Sequence, residues 1–593
     1  MSTIRTRLEK WFENLAHAIY RHRMLTLIIM LALSGLLIVQ IPKIIIDTST
    51  EGFLHEDDPA LLAYNAFRDQ FGRDEVIIVA INPVAVFDRR FLKKLKGLHE
   101  ELEENVPFIE DITSLINARN TRGDADVLIV EDFLENWPSD QMELDILKNR
   151  ALSNPMYKNL LLSEDGGFTT IVIQTHSYSG LGQEVDVLEE FESNSPVPDE
   201  KAADAATARE YLTDHENSQV VTAVKQIVKK YDAPDFPIYV AGTPVVTHFL
   251  KRAMMGDMRK FMGLALMAVA SLLFLMFRRI TGVLLPLFIV ILSLLSTIGI
   301  MALAGTAIKL PTQILPSFLL AVGVGTSVHI LAIFFQRYRE KENKEEAIAD
   351  ALGHSGLAVV MTNVTTACGL MSFATSEVAP VADLGVFAGI GVLIAFVNTI
   401  ILLPALLALI PLRSVKKNNP ILRGTPMDRF LTFISKFSTR HPRAILIVSA
   451  VLICVSLALA AGIRFSHHPL GWFPQNNRIR MATEKLDQEM RGTLSLEVII
   501  DTAEENGLYD PDMLNRLEKA AVFSEAQVYE DVFVGKAWSL TTILKEINRA
   551  LNENREEFYS IPQNKNLVAQ EFLLFENSGS DDLEDVVDSQ FSK

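Results

Sequence analysis

The chain has 593 residues, of which 49% are hydrophobic and 22% charged, so it is too apolar for a disordered protein and too polar to lie wholly within a bilayer. A formal net charge of -18 argues against nucleic acid as a partner. The two cysteines, Cys368 and Cys454, both fall in apolar stretches, which excludes a disulfide-stabilised external scaffold.

Seven stretches are apolar and long enough to cross a bilayer, which takes about 20 residues. The first is preceded by basic residues but is too long for a signal peptide, so we predict an uncleaved anchor. Before it, apolar residues at helical spacing within residues 1–23 predict an amphipathic helix on the cytoplasmic leaflet. The seven stretches are residues 24–46, 260–277, 281–304, 313–335, 357–375, 384–410 and 444–463.

One layout begins twice: a span, a long acidic stretch and five further spans. His22 before the first span matches His441 before the seventh, and Gly52 matches Gly471 at the same offset. A constant offset predicts an internal duplication, which is typical of secondary transporters. Because each repeat would hold an even number of spans, both would insert in one orientation, related by a pseudo-twofold axis along the membrane normal.

The short connections between spans are basic on one side. Arg278, Arg279, Arg337, Arg339, Lys341, Arg413, Lys416 and Lys417 all fall on the side of the N-terminus. By the positive-inside rule that side is cytoplasmic, so residues 47–256 and 464–593 should be external. The predicted segments are 1–23, the span 24–46, an external domain 47–256, a five-span block 257–411, a cytoplasmic linker 412–442, the span 443–463 and a second external domain 464–593.

The first external stretch changes repeatedly between strand and helix periodicity. A strand, a helix and a strand are predicted at 75–81, 88–104 and 108–115, and again at 168–174, 218–232 and 238–241. These patterns predict two small α+β units of split βαβ type.

Motifs for catalysis and for nucleotide binding are absent from the sequence. It contains no G-x-x-x-x-G-K-[ST] phosphate loop, which argues against direct drive by ATP. No local nucleophile–base motif or set of metal ligands is recognisable, so no enzyme, cofactor or metal site is predicted. Energy for transport would come from an ion gradient.

Four segments of the chain carry a family resemblance. They are Asn154-Pro155-Met156-Tyr157, Ser163-Glu164-Asp165-Gly166, Gly242-Thr243-Pro244-Val245 and Ala321-Val322-Gly323-Val324-Gly325-Thr326-Ser327-Val328-His329. At these segments the chain resembles the RND superfamily, and within it the bacterial MMPL-type exporters related to hopanoid and mycobacterial lipid transporters. The span block 257–411 is also similar to the sterol-sensing-type five-helix block.

The resemblance implies an RND-type bundle of membrane helices with α+β extracytoplasmic porter-like domains. It implies proton-driven export of hydrophobic or lipid-like molecules from a bacterial cytoplasmic (inner) membrane. Relative to that family, we expect residues 464–593 to be an incomplete second domain, followed in relatives by five further spans.

The fourth span departs from the family where relatives usually carry a mid-membrane aspartate a few residues before the histidine. Gly325 or Thr326 occupies that place here, which leaves His329 as the ionisable group well inside the block. An intramembrane histidine with a pKa near neutrality suits a proton relay. A neutral imidazole hydrogen-bonded to Thr326 or to the fifth span is the alternative. The predicted polar surroundings are Thr326, Ser327, Thr362, Asn363 and Thr366.

Two further features of these spans have structural alternatives. The polar fifth span could line a water-bearing path or make interhelical hydrogen bonds, and Gly323 and Gly325 predict close helix packing. Besides the ion-driven exporter, two functions stay open: a lipid-sensing or lipid-binding module that does not pump, and a half-transporter completed by another chain or a second copy. The predicted partners are hydrophobic or amphiphilic small molecules and membrane lipids.

Overall fold

The computed structural model describes residues 2–72, 75–124, 127–179, 211–411, 426–463, 469–529, 532–578, 583 and 586–593. The predicted basic residues Arg413, Lys416 and Lys417 and the start of the second external stretch, 464–468, lie outside the described residues. The chain forms two compact units. The membrane unit comprises Met1–His55 and Lys251–His468, and the α+β unit comprises Glu56–Leu250 and Pro469–Lys593.

The described helices and strands are numbered here in chain order. The helices are α1 Ser2–Arg21, α2 Arg23–Ile38, α3 Pro59–Phe71, α4 Arg89–Asn105, α5 Gln141–Ser153, α6 Asp214–Tyr231, α7 Thr243–Phe277, α8 Thr281–Leu303, α9 Leu315–Lys341, α10 Lys344–Met371, α11 Ala379–Val397, α12 Leu403–Leu409, α13 Pro426–Arg440, α14 Pro442–Ala460, α15 Arg478–Met490, α16 Pro511–Glu525, α17 Leu540–Leu551 and α18 Lys565–Glu576. The strands are β1 Ile77–Ile81, β2 Ile109–Thr113, β3 Arg119–Asp124, β4 Val127–Asp132, β5 Thr169–Thr175, β6 Ile238–Ala241, β7 Val528–Tyr529 and β8 Val532–Phe533.

Seven helices in the described part of the chain are long and apolar enough to cross a membrane, and each predicted span falls on one of them. The prediction of a helical membrane bundle is therefore confirmed. Two helices begin well before the predicted spans, α7 at Thr243 and α10 at Lys344. The parts of α7 and α10 that precede the predicted spans carry charged residues, which a helix accepts but which lower the hydropathy, so a search for apolar residues misses them.

Within the membrane unit, α8, α9 and α11 bury the most residues, and α2 and α10 pack against them. Helix α7 joins them through Leu273, which packs with Val290 and Leu320. Their core contains Ile289, Leu331, Phe334 and Leu403. A short π-helical segment, Asn398–Leu402, joins α11 to α12 and interrupts the α-helical hydrogen bonding of the sixth span.

The N-terminal helix α1 packs against α10, whereas the sequence predicted contact of its apolar face with the cytoplasmic leaflet. Phe12, Ala16 and Ile19 are buried, and a Cβ added to Gly356 of α10 would lie 2.6 Å from Phe12 Cγ. Trp11 stays 56% exposed. The same helical periodicity serves a membrane surface or a neighbouring helix, so the pattern could not separate the two.

In the α+β unit, the predicted strand–helix–strand segments form one antiparallel sheet in the order β2-β5-β1-β6. Helices α4 and α6 pack on it through a core that includes Leu95, Leu98 and Val224. Each predicted segment is a split βαβ unit, with β5 between β1 and β2 and β1 between β5 and β6, so the two units interleave in one sheet and are not separate. The cause is that β1 pairs with β5 and β6, far along the chain, and periodicity within a segment does not specify its partner.

The described part of the second acidic stretch packs on the first within the same unit. Helices α17 and α18 enclose an apolar core that includes Ile547 and Phe572, to which Leu128 and Val130 of the β3–β4 hairpin are added. That hairpin was not predicted, because neither strand alternates: β3 is polar or charged along its length, and β4 has four apolar residues followed by two acids.

Candidate functional site: the polar core of the membrane unit and His329

A buried hydrogen bond joins α9 to α10 in the middle of the membrane unit. Thr326 Oγ1 donates to Asn363 Oδ1 at 3.3 Å, and Asn363 Nδ2 donates to the Val359 carbonyl at 2.8 Å. Both side chains are buried. Two of the predicted site residues are therefore brought together, and the polar character of the fifth span serves interhelical hydrogen bonding at this point.

Two further buried contacts join α8, α9 and the π-helical segment. Ser327 Oγ lies 3.1 Å from Thr399 Oγ1, and Asn398 Nδ2 donates to Ser293 Oγ at 2.8 Å. Ser293 in turn donates to the Ile289 carbonyl at 2.7 Å. These hydrogen bonds hold the helices together. All the groups in the cluster are neutral, so it carries no charge of its own.

Ser293, Asn398 and Thr399 were not predicted as site residues. Their signal is present in the sequence, because each is a polar residue inside an otherwise apolar span. The sequence does not reveal the π-helical segment, in which Asn398 bonds α8 and Thr399 contacts α9.

His329 is exposed and lies outside this buried polar core. Thr326, Ser327 and Ile330 are buried, whereas Gly325 and His329 are exposed. Among the described residues His329 has no hydrogen-bond partner, and Thr326 bonds Asn363 in place of the imidazole. The structure therefore separates His329 from Thr326, Ser327 and Asn363.

Thr362 and Thr366 of α10 satisfy their hydroxyls locally, by donating to the carbonyls of Ala358 and Thr362 at 2.8 and 2.7 Å. Thr362 is exposed and Thr366 half-buried. Neither hydroxyl bonds His329 among the described residues.

Gly323 and Gly325 of the fourth span differ in how closely other residues approach them. A Cβ added to Gly323 would lie 2.9 Å from Val290 Cγ2, so this glycine permits close packing of α9 on α8. Nothing among the described residues lies within 4 Å of a Cβ added to Gly325, which leaves that position open on the His329 face.

A charged pair that was not predicted from the sequence joins the α8–α9 connection to α11. Lys309 Nζ and Asp383 Oδ2 are 3.3 Å apart, and their side chains are 17% and 26% exposed. Nearby, the chain that follows the first span is tied to the α8–α9 connection, because Ile308 N donates to the Ile45 carbonyl at 2.8 Å. No three His, Cys, Asp or Glu side chains among the described residues cluster closely enough to hold a metal ion.

Comparison with known proteins identifies the family. The MMPL family profile matches residues 110–445, more than half of the chain. MJ1562 of Methanocaldococcus jannaschii, named as a membrane protein, is 22% identical over 423 residues, which cover 68% of this chain and 94% of that protein.

Two hopanoid transporters named HpnN give shorter matches. The one from Burkholderia multivorans is 30% identical over 151 residues, and the one from Rhodopseudomonas palustris is 30% identical over 156 residues. These alignments cover 16% and 17% of the two transporters, so the likeness is to a part of each. The profile match over more than half of its length shows that the chain belongs to the MMPL family.

Proposed function

We propose that the protein exports hydrophobic or lipid-like molecules from a bacterial cytoplasmic membrane, driven by an ion gradient, with protons as the coupling ion. The observation that carries the substrate class is the 30% identity to two hopanoid transporters over about a quarter of the chain. Residues 47–256 and 464–593 would be extracytoplasmic and porter-like, because the basic connections all fall on the side of the N-terminus.

Proton coupling in this proposal rests on His329. The buried polar core is neutral and its hydrogen bonds are made within the bundle, which leaves it no role as a charge carrier. His329 lies on an exposed face beside the open position Gly325, where water or a second helix could reach the ring. His329 is the ionisable side chain in the apolar part of α9.

The test is transport by the full chain reconstituted in liposomes with a hopanoid-containing lipid extract and an imposed pH gradient. His329→Gln keeps a hydrogen-bonding group and removes titration, so we expect transport to fall at least tenfold and its dependence on the gradient to be lost. His354→Gln is the matched control, since His354 is also an exposed histidine of the membrane unit. Unchanged, gradient-dependent transport in the His329 variant would refute the assignment.

The exposure of His329 also favours a second candidate, a half-transporter whose α9 face is covered by another chain or a second copy. A polar ring on a membrane-facing surface is costly unless a partner covers it. Gly325→Cys, in a chain with Cys368 and Cys454 replaced by Ser, should then form disulfide-linked dimers in membranes. A lipid-sensing module that does not pump would instead bind lipid with no response to the pH gradient.

A further inference from the structure

Two arginines, Arg279 of the α7–α8 connection and Arg339 of α9, both contact Phe335. Arg279 lies over the Phe335 ring, 5.2 Å from its centroid, and Arg339 Nε donates to the Phe335 carbonyl at 3.2 Å. Burial, and then the charge of Arg339, hold the pKa of Arg279 below its ordinary value. Neither arginine forms an ion pair with any residue that the structure describes, and residues 412–425 contain no acid.

Neighbouring cations on the same side of the unit are matched by acids. Arg337 lies 3.1 Å from Glu340, and Lys341 lies 2.9 Å from Asp350. The chain therefore supplies carboxylates to the cations beside this cluster and leaves the Arg279–Arg339 pair without one. Two like charges held together favour an anion that can bridge them.

The backbone of the connection holds Arg279 at this place. Arg278 has a φ of 51°, in the left-handed region that costs a residue other than glycine about 1 kcal/mol. Its N–H closes the end of α7 on the Phe274 carbonyl at 2.8 Å, and Gly282 N–H donates to the Arg279 carbonyl at 3.1 Å. A Cβ added to Gly282 would lie 2.6 Å from Phe277 Cβ, so the tight turn requires this glycine.

An apolar groove lies beside this connection, and Ile280, the residue that follows Arg279, is part of its lining. It has a volume of about 340 Å³ and is lined by Ala270, Ser271, Phe274, Ile280, Val283 and Leu284. It lies between two candidate membrane spans, so its natural occupant is an acyl chain of the bilayer. An anion site at the end of an apolar groove matches an amphiphile with an anionic head.

We propose that Arg279, Arg339 and the α7–α8 groove bind an anionic phospholipid, with the phosphate at the two guanidinium groups and an acyl chain along Phe274 and Leu284. Basic pockets between membrane helices bind such headgroups in the same way. This site differs in place and chemistry from the His329 face, and it would serve the fold or its regulation whether or not the protein exports lipids.

The test is native mass spectrometry of the full chain in detergent, titrated with dioleoyl phosphatidylglycerol or dioleoyl phosphatidylcholine. The wild type should retain phosphatidylglycerol in preference to phosphatidylcholine. Replacing both Arg279 and Arg339 by Gln should weaken phosphatidylglycerol binding about 25-fold, from about fivefold for each charge, and leave phosphatidylcholine unchanged. Arg337→Gln, which removes a cation already paired with Glu340, is the control and should change binding less than twofold.

Further variants separate the sources of the anion and guard against misfolding. The double Arg→Lys variant keeps both charges and should retain most of the binding even if the Gln variant folds poorly. Ala270→Phe fills the groove and should weaken phosphatidylglycerol binding with the arginines intact. Equal retention of phosphatidylglycerol in the double Gln variant would overturn the proposal. So would displacement of the lipid by millimolar inorganic phosphate together with no effect of Ala270→Phe.

Discussion

Glu571 places a carboxyl in an apolar environment, on the helix α18 whose other buried residues are Val568, Phe572 and Phe575. It is 1% exposed, and burial raises the pKa of its carboxyl to about 8. A pKa raised above the unfolded value means that the folded state binds more protons between those two values. The contribution of Glu571 to stability should therefore be greatest at acidic pH and should fall as pH rises from about 4.5 to about 8.

Glu571→Gln removes this ionisation. We therefore expect the variant to lack a loss of stability on the order of 3 kcal/mol that the wild type shows between pH 5 and pH 8. Thermal unfolding of the full chain across this range measures it. Glu576→Gln, an exposed acid on the same helix, should behave as the wild type, and an identical pH dependence in the Glu571 variant would contradict the prediction.

At the scale of an element, the packing of α1 on α10 depends on the absence of a side chain at Gly356. A Cβ there would meet three Phe12 ring carbons at 2.6 to 2.9 Å, and the ring has little room because Trp11 packs edge-on against it at 4.9 Å. Gly356→Leu should therefore displace α1 and destabilise its contact with α10 by about 1–3 kcal/mol. Trypsin should then cleave at Arg5, Arg7 and Lys10 several-fold faster, and Trp11 fluorescence should change.

Gly369→Leu is a matched control on the same helix, since nothing described lies within 4 Å of its added Cβ. Equal protection of α1 in both variants would show that the helix does not need this contact.

At the scale of the α+β unit, Lys536 connects the second acidic stretch to the first. Its Nζ donates to the carbonyls of Pro155, Met156 and Lys158 at 2.6, 3.1 and 2.8 Å, and the first two belong to a segment that carries the family resemblance. A second contact is the buried pair of Arg119 and Glu546, 3.4 Å apart.

Lys536→Met removes all three donors and leaves the carbonyls to water or to no partner. This loss should lower the stability of the unit by about 2 kcal/mol. Amide hydrogen exchange in residues 469–593 should then speed up tenfold or more, whereas Lys519→Met, on an exposed lysine of α16, should leave it unchanged. Unaltered exchange in the Lys536 variant would mean that apolar packing alone joins the two stretches.

Apolar length and helical or strand periodicity are properties of single segments, and they predicted what depends on single segments. The seven candidate spans, the helix α1 and the positions of β1, β2, β5 and β6 follow from them. The motif around Ala321 to His329 likewise indicated the family that the profile match shows.

Only the tertiary structure decided which segments meet and which face of each helix turns inward. The pairing of β1 with β5 and β6 made one sheet of two predicted units, because strand partners are chosen by contacts between distant segments. The rotation of α9 turned Thr326 and Ser327 into the bundle and His329 out of it, although the three lie within four residues of each other. That rotation is set by the packing of Gly323 on α8 and the Thr326–Asn363 hydrogen bond to α10, and neither contact can be read from α9 alone.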